Sequence, residues 1–429
     1  MKLTRLRARL VVLGAVLLPF GLLPLGAITS SPANAGPWDG VQAWETADVT
    51  RIVDGDTLIV TDQVTKVESR IRLLGINSPE KDNKSSGGQC GGWQAMDALS
   101  ELLPLGATVR LLSSDPNSKG KAARPQRVVL AQNPQTGEFD QDIAWAMAER
   151  GWGLWFTVAK EAAMSALYRS VIAGAQERRV GIWNPSLCGE LEQPDASLDL
   201  RISRGSVGSS PTDEWVTVRN IGATDVDLTG WTLRDSGNQG RFVFPAGSVI
   251  SPGDFREVHT GVRPAGATDP RSLYINLKSR IYTDPGKEPN LVGDGSYLLD
   301  RYGNYRFWRE YPCTNDCEID PLKGSVTIAD LSLGKKRGKA RAATQWVRLQ
   351  NISAETQCLD GYRLETGNTR YRFTSGTCIA PGGNWLMRVG KGRSTSSTAY
   401  LGKTVPVLWT TGSVTMYSDQ DQLIARRSW

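Results

Sequence analysis

A segment of this chain occurs twice, and that repetition limits the fold more than any other feature. Glu214-Trp215-Val216-Thr217-Val218-Arg219-Asn220 corresponds to Gln345-Trp346-Val347-Arg348-Leu349-Gln350-Asn351. Gly230-Trp231-Thr232-Leu233 corresponds to Gly361-Tyr362-Arg363-Leu364, and Pro252-Gly253 to Pro381-Gly382. The copies keep step from Trp215 through Gly230, and one two-residue deletion in the second copy accounts for the shorter spacing at Pro381. Self-similarity in a fixed order means two copies of one module. Each copy is built of short alternating segments bounded by Gly, Pro and Asp, with almost no helical period. That pattern predicts an all-β sandwich in each copy.

The chain up to about Glu190 reads differently. Residues 1–35 carry Lys2, Arg5, Arg7 and Arg9, then an apolar run, then Ala33-Asn34-Ala35. That is the layout of a cleaved export signal. No later run is long and apolar enough to span a bilayer. From about 45 to 190, β-type segments come first and helical periods later. Strands are expected at Val49–Val53, Thr57–Thr61, Arg70–Ile76, Thr108–Ser113 and Gln126–Ala131. Helices are expected at Trp93–Leu103, Asp142–Arg150 and Lys160–Arg179. The expected fold is a five-stranded OB-type barrel with appended helices. The domains expected are thus a signal at 1–35, an α+β barrel at 45–190, a sandwich at 197–320 and a second sandwich at 323–429. Residues 191–197 read as a linker.

Charge and cysteine usage narrow the setting. The formal charge is +6, of which four positive residues belong to the signal. From Lys323 onward there are 16 Lys and Arg against 6 Asp and Glu, so the basic character belongs to the last module. A polyanion partner for that module follows: nucleic acid, or anionic polymers of a cell envelope. The run Lys335-Lys336-Arg337-Gly338-Lys339-Ala340-Arg341 would make the contact, and Arg370-Tyr371-Arg372-Phe373 would supply either base stacking or one strand with an aromatic core face. Six cysteines in an exported chain imply disulfides. Position suggests Cys90 with Cys188, Cys313 with Cys317, and Cys358 with Cys378. The one histidine, His259, leaves no room for two-histidine chemistry and is expected to be a surface or structurally satisfied residue.

Chemistry-bearing residues concentrate between Arg51 and Glu80. Asp54-Gly55-Asp56-Thr57 joins two apolar runs, and Arg70 to Ile76 leads into Asn77-Ser78-Pro79-Glu80. Carboxylates beside an arginine suit a divalent cation, a phosphate and an activated water. The order V-D-G-D-T, R-L-L-G-I-N-S-P-E, a Gly-Gly-Trp helix start and a Gly181-Ile-Trp183 ending resembles the staphylococcal (thermonuclease-like) nuclease family over about Val49 to Gly189. The resemblance implies hydrolysis of DNA and RNA with little base specificity, calcium as cofactor and 3′-phosphate products. It implies Asp56, Asn77 and the Ser78 carbonyl as calcium ligands, Arg72 as a phosphate-binding arginine and Glu80 as general base. The family has Asp where Asn77 stands, which implies weaker metal affinity. Its second arginine corresponds to Arg127, with Arg124 as the alternative. The repeated modules are similar to lamin-tail domains, which are immunoglobulin-like sandwiches. There the motif Trp and Gly residues are core and turn positions. The competing reading is a noncatalytic extracellular protein that binds polyanions or surfaces.

Overall fold

A computed structural model describes residues 43–82, 88–115, 124–158, 161, 165–204, 210–282, 293–312, 318–334 and 339–429. All lie in one compact unit, Val41–Trp429. The expected signal, Cys313, Cys317 and the Lys335–Gly338 part of the basic run lie outside the described residues.

The N-terminal part opens with β1 (Ala43–Asp54), β2 (Thr57–Asp62) and β3 (Glu68–Leu73), a meander in sequence order. A three-residue strand β4 (Gly75–Asn77) follows, then α1 (Gly92–Leu102), β5 (Thr108–Ser113), β6 (Gln126–Gln132), β7 (Phe139–Asp142), α2 (Ile143–Glu149), β8 (Leu154–Phe156) and α3 (Ser165–Arg178). The sheet order is β3-β2-β1-β5-β6-β7, and β3 also pairs in parallel with β6. That last pairing closes five strands into a barrel and leaves β7 appended. The alternating apolar positions Val49, Leu58, Val60, Ile71, Leu73, Val109, Leu111 and Val129 are buried, as the period of two requires.

The expected strand over Arg70–Ile76 is two strands. The chain leaves the barrel at Leu74, and Gly75–Asn77 pairs instead with Leu154–Phe156. Gly75 has φ +86°, and a Cβ there would lie 2.1 Å from the Tyr168 ring. Only glycine permits both the backbone conformation and that approach.

The two repeats fold alike. The first has one sheet of Ser272–Tyr274, Phe255–His259, Trp215–Asn220 and Leu198–Ser203. It faces a second sheet of Arg241–Val243, Thr232–Asp235, Asp294–Leu299 and Tyr305–Tyr311. The second copy reproduces both strand orders, from Thr398–Tyr400 through Val326–Ser332 and from Thr369–Arg372 through Leu423–Ser428. Leu200, Val216, Val258, Leu233, Leu298 and Trp231 share one core across the two sheets of the first copy. Val347, Leu349, Tyr362, Phe373 and Trp385 do the same in the second.

The repeated asparagines explain their own recurrence. Asn220 is fully buried, and its amide donates to the carbonyls of Thr224 (2.7 Å) and Ile250 (2.8 Å). Asn351 donates to Glu355 (2.6 Å) and Ile379 (2.8 Å) in the same pattern. At the variable position, Glu214 accepts from Ile281 N (2.9 Å) and Tyr282 N (3.1 Å), while Gln345 accepts from Val407 N (2.9 Å) and Leu408 N (3.2 Å). The acid and the amide both satisfy neighbouring backbone donors.

Two disulfides match the expected pairs. Cys90–Cys188 ties the start of α1 to the end of the barrel domain, and Cys358–Cys378 joins paired strands of the second sandwich. Among the described residues no helix is long and apolar enough to cross a membrane.

Segment 191–197 is docked on the first sandwich. Arg306 donates to the Gln193 carbonyl (3.1 Å), and the Gln193 side chain bonds both the N–H and the carbonyl of Asp227. The barrel and the first sandwich are also in contact. Trp183 is buried against Tyr297, Tyr305 and Trp308, with ring centroids 6.1, 5.5 and 4.9 Å away. Arg169 of α3 pairs with Glu310 at 2.8 Å, and Cys188 N donates to Asn304 Oδ1 at 2.8 Å. The two sandwiches meet through Asp419, which takes two hydrogen bonds from Arg309 (2.9 and 2.7 Å) and a longer one from Arg201 (3.4 Å).

Candidate functional site: a buried carboxylate–arginine pair beneath the first sandwich

The β1–β2 hairpin sets the first carboxylates. Asp54 pairs with Thr57 across Gly55 and Asp56, and Asp54 Oδ1 accepts the Asp56 N–H at 3.2 Å. A Cβ on Gly55 would lie 2.6 Å from Ala95 and 2.8 Å from Ser78. The turn is therefore pressed between α1 and the Ser78 segment, which brings Asp56 to the end of β4. Asp56 Oδ2 accepts the Ser78 N–H (2.8 Å), and Oδ1 accepts Arg72 Nη1 (2.6 Å) and the Thr57 hydroxyl (2.9 Å).

Arg72 spans two oxygens. Its Nη1 is on Asp56, and its Nη2 donates to Asn77 Oδ1. The Asn77 amide in turn donates to the Ser236 carbonyl of the first sandwich at 2.6 Å. Asp56, Arg72 and Asn77 are 1%, 6% and 9% exposed. Burial pushes the Asp56 carboxyl above the usual carboxylate range. Arg72 pulls it down, and the charges of Asp54 and Glu80 push it up further.

Glu80 is half-buried and sits at the entrance to α1. Its N–H donates to Gln89 Oε1 (3.3 Å), and its carbonyl accepts the Gln89 N–H (2.8 Å). Glu80 lines a cavity of about 250 Å³ between the barrel and the first sandwich. Arg234, Arg241 and Arg301 line the sandwich side of that cavity. Reading the nuclease-like segment alone missed these arginines, because they lie far downstream in a different module.

The two candidates for a second arginine separate clearly. β3 and β6 pair Arg72 with Gln126 and Leu73 with Arg127. Alternation puts Arg124 and Gln126 on the Arg72 side and Arg127 on the Leu73 side. Arg124 Nη1 donates to Thr57 Oγ1 at 3.4 Å, and that hydroxyl donates to Asp56. Burial and the charges of Arg72 and Arg70 lower the Arg124 pKa, while Asp56 and Asp54 raise it. Arg127 donates to the Gln126 carbonyl at 2.9 Å. On this placement Arg124 shares the Arg72 face and Arg127 the Leu73 face.

Of the residues expected to hold calcium, Asp56 and Asn77 are bridged by Arg72, and Asp56 accepts the Ser78 N–H. Their oxygens are hard donors of the kind calcium takes. Among the described residues no three His, Cys, Asp or Glu side chains form a metal-holding cluster. A cation here would rely on neutral oxygens for much of its shell, and the Arg72 guanidinium already bridges two of its ligands.

Other expectations resolve structurally. His259 Nδ1 lies 3.0 Å from the Thr212 carbonyl, Nε2 lies 3.5 Å from Glu257 and its ring stacks on Tyr274, so it packs within the first sandwich. Tyr371 and Phe373 pack on Trp385 at 5.3 and 4.8 Å, which makes the Arg370–Phe373 strand an aromatic core edge and not a stacking platform. At the end of the basic run, Arg341 donates to the carbonyls of Leu333 (2.9 Å) and Leu408 (3.3 Å).

Comparison with known proteins supports one module by name. None of the curated proteins compared matches the chain, and the barrel draws no nuclease-family match. Residues 193–312, the first sandwich with its preceding segment, match the Lamin Tail Domain family, an immunoglobulin-like fold.

Proposed function

We propose that the barrel is a calcium-dependent phosphodiesterase acting on DNA and RNA, in an exported protein. The observation that carries this reading is the convergence of Asp56, Arg72 and Arg124 with Glu80, which opens on an arginine-lined cavity. In this reading Arg72 and Arg124 clamp the scissile phosphate and stabilise the charge that grows on it. Glu80 takes the proton of the attacking water as its oxygen bonds to phosphorus. The phosphorus–5′-oxygen bond breaks, the 3′-phosphate stays on the upstream product, and the 5′-oxygen is protonated from solvent. Calcium, held by Asp56, Asn77 Oδ1 and the Ser78 carbonyl, would supply additional positive charge beside the phosphate. The disulfides and the N-terminal pattern support an extracellular setting.

Burial of Asp56, Arg72 and Asn77 beneath Ser236 favours a second reading, a noncatalytic barrel whose polar core holds the first sandwich in place. One experiment separates the two. Purified protein is incubated with DNA or RNA in calcium or in chelator, and acid-soluble nucleotide is measured. Calcium-dependent release that Glu80→Gln abolishes supports the enzyme. Equal absence of release in calcium and chelator supports the noncatalytic barrel.

A further inference from the structure

Arg234 is the most unusual charged residue at the barrel–sandwich junction. It is 4% exposed. Its guanidinium donates to the carbonyls of Asp235 (3.1 Å) and Ser236 (3.2 Å), to Gln89 Oε1 (3.3 Å) and to the Tyr305 hydroxyl (3.3 Å). All four acceptors are neutral. Among the described residues Arg234 makes no ion pair within 4.0 Å, whereas Arg72, Arg201, Arg204, Arg309 and Arg363 all do. The carboxylate its charge acts on, Asp235, lies beyond ion-pair distance, so the Arg234 cation is only partly compensated and an anionic ligand would complete it.

The surroundings provide room for that ligand. Arg234 lines the 250 Å³ cavity that Glu80 also lines, with Arg241 exposed on the same wall. A larger cavity of about 740 Å³ lies elsewhere, against α3 and both sandwiches. Its three arginines, Arg169, Arg201 and Arg309, each pair with a carboxylate at 2.8, 2.8 and 2.7 Å. In the cavity beside Glu80, Arg301 pairs with Glu192 and the acids Glu80 and Asp300 also line the wall, which leaves Arg234 and Arg241 as its arginines with no ion pair among the described residues.

Hydrogen bonds also connect Arg234 to the candidate catalytic group at both ends. Gln89 Oε1 accepts from Arg234 and from the Glu80 N–H. The Ser236 carbonyl accepts from Arg234 and from Asn77, whose oxygen is held by Arg72. A phosphate on Arg234 would therefore lie beside the Glu80 segment and not at a remote surface.

We propose that the first sandwich completes the site: Arg234, with Arg241 at the mouth, forms a phosphate subsite for the backbone of a single-stranded nucleic acid next to the phosphate that Glu80 and Arg72 address. This deepens the nuclease reading and rests on it for the choice of ligand. A cavity of this size is below the usual range for sites that enclose drug-sized ligands. It takes a phosphate with its sugar and excludes a duplex.

The test is calorimetric titration of the full chain in chelator, so that nothing is cut. The probes are inorganic phosphate, a single-stranded tetranucleotide and a duplex. The wild type is expected to bind phosphate and the single strand, with the duplex at least 10-fold weaker. Arg234→Gln should weaken phosphate and single strand by 10-fold or more, and Arg234→Lys should recover part of that loss. Arg241→Gln, a change at an exposed position, should weaken both about 3-fold, and it decides the matter if Arg234→Gln does not fold. Wild-type protein that binds no phosphate overturns the subsite. So does unchanged affinity in Arg234→Gln, or in Arg241→Gln where that variant decides. Loss of phosphate affinity with oligonucleotide affinity unchanged, or duplex bound as tightly as single strand, overturns the assignment to single-stranded nucleic acid. The nuclease reading fails separately: Arg234-dependent phosphate binding without Glu80-dependent cleavage sinks only that reading. Glu80-dependent cleavage without phosphate binding sinks only the subsite.

Discussion

The side-chain amide of Asn77 donates to the backbone carbonyl of Ser236 at 2.6 Å, across 159 residues of sequence. This bond joins the polar centre of the barrel to the edge of the first sandwich. Asn77 also accepts from Arg72, so it links the position of one domain to that of a buried arginine in the other.

Asn77→Asp makes that relationship measurable. The change removes the donor to Ser236 and places a carboxylate where an amide oxygen faces Arg72. In chelator the variant should lose about 1–3 kcal/mol, the usual cost of a broken buried hydrogen bond. Added calcium should recover more stability in the variant than in the wild type, because the new ligand is charged. Melting curves with and without calcium check both parts. An equal calcium response in the two proteins removes Asn77 from the metal shell.

Glu80→Gln should leave the fold and nucleic-acid binding intact and lower turnover by roughly 10²–10⁴-fold. The amide keeps the volume and loses the proton acceptor. Steady-state kinetics on single-stranded DNA, beside a circular-dichroism spectrum, provide the check.

Asp294 gives a pH prediction. It is buried next to Asp235 and accepts from Ser236 N (3.3 Å) and Gly295 N (2.7 Å). Burial and the nearby Asp235 push its carboxyl well above the usual range. A raised folded-state pKa means that the proton is held more tightly in the folded protein. That stabilisation is complete below the unfolded pKa near 4 and is lost as pH rises through the raised value. Wild-type melting temperature should therefore fall from pH 5 to pH 9 by more than that of Asp294→Asn. Parallel pH profiles for the two proteins exclude Asp294 as the cause.

Asp419→Ala tests the joint between the sandwiches. The carboxylate is fully buried, and its removal strands Arg309 in a low-dielectric contact, while Arg201 keeps its pair with Asp199. The expected loss is about 3–5 kcal/mol, with limited proteolysis releasing the second sandwich. A stability change under about 1 kcal/mol means that the two sandwiches do not depend on this joint.

The disulfides should contribute unequally. In the chain-entropy model a loop of 98 residues is worth about 4–5 kcal/mol and one of 20 about 3 kcal/mol. Denaturant melts of Cys90→Ala/Cys188→Ala and Cys358→Ala/Cys378→Ala variants compare them. Nonreducing peptide mapping of the wild type confirms the pairs, and a free thiol at any of the four positions refutes its bridge.

Local pattern made much of this protein legible. The duplicated Trp-Val…Asn and Pro-Gly segments established two like sandwiches, because their side chains meet within each module and recur with it. Strand Thr108–Ser113 and the Asp54–Thr57 hairpin were likewise readable, since period-two burial and turn chemistry are short-range properties. Arg72, Asp56 and Glu80 lie close together in the chain, so their convergence could be anticipated from adjacent strand ends. The tertiary structure alone decided the faces of the two candidate arginines: a register between β3 and β6 put Arg124 on the Arg72 face and Arg127 on the other. It also decided that Arg234 and Ser236 close over the site. Those contacts depend on docking two independently patterned domains, where long-range side-chain pairing and burial, not local periodicity, select the partner.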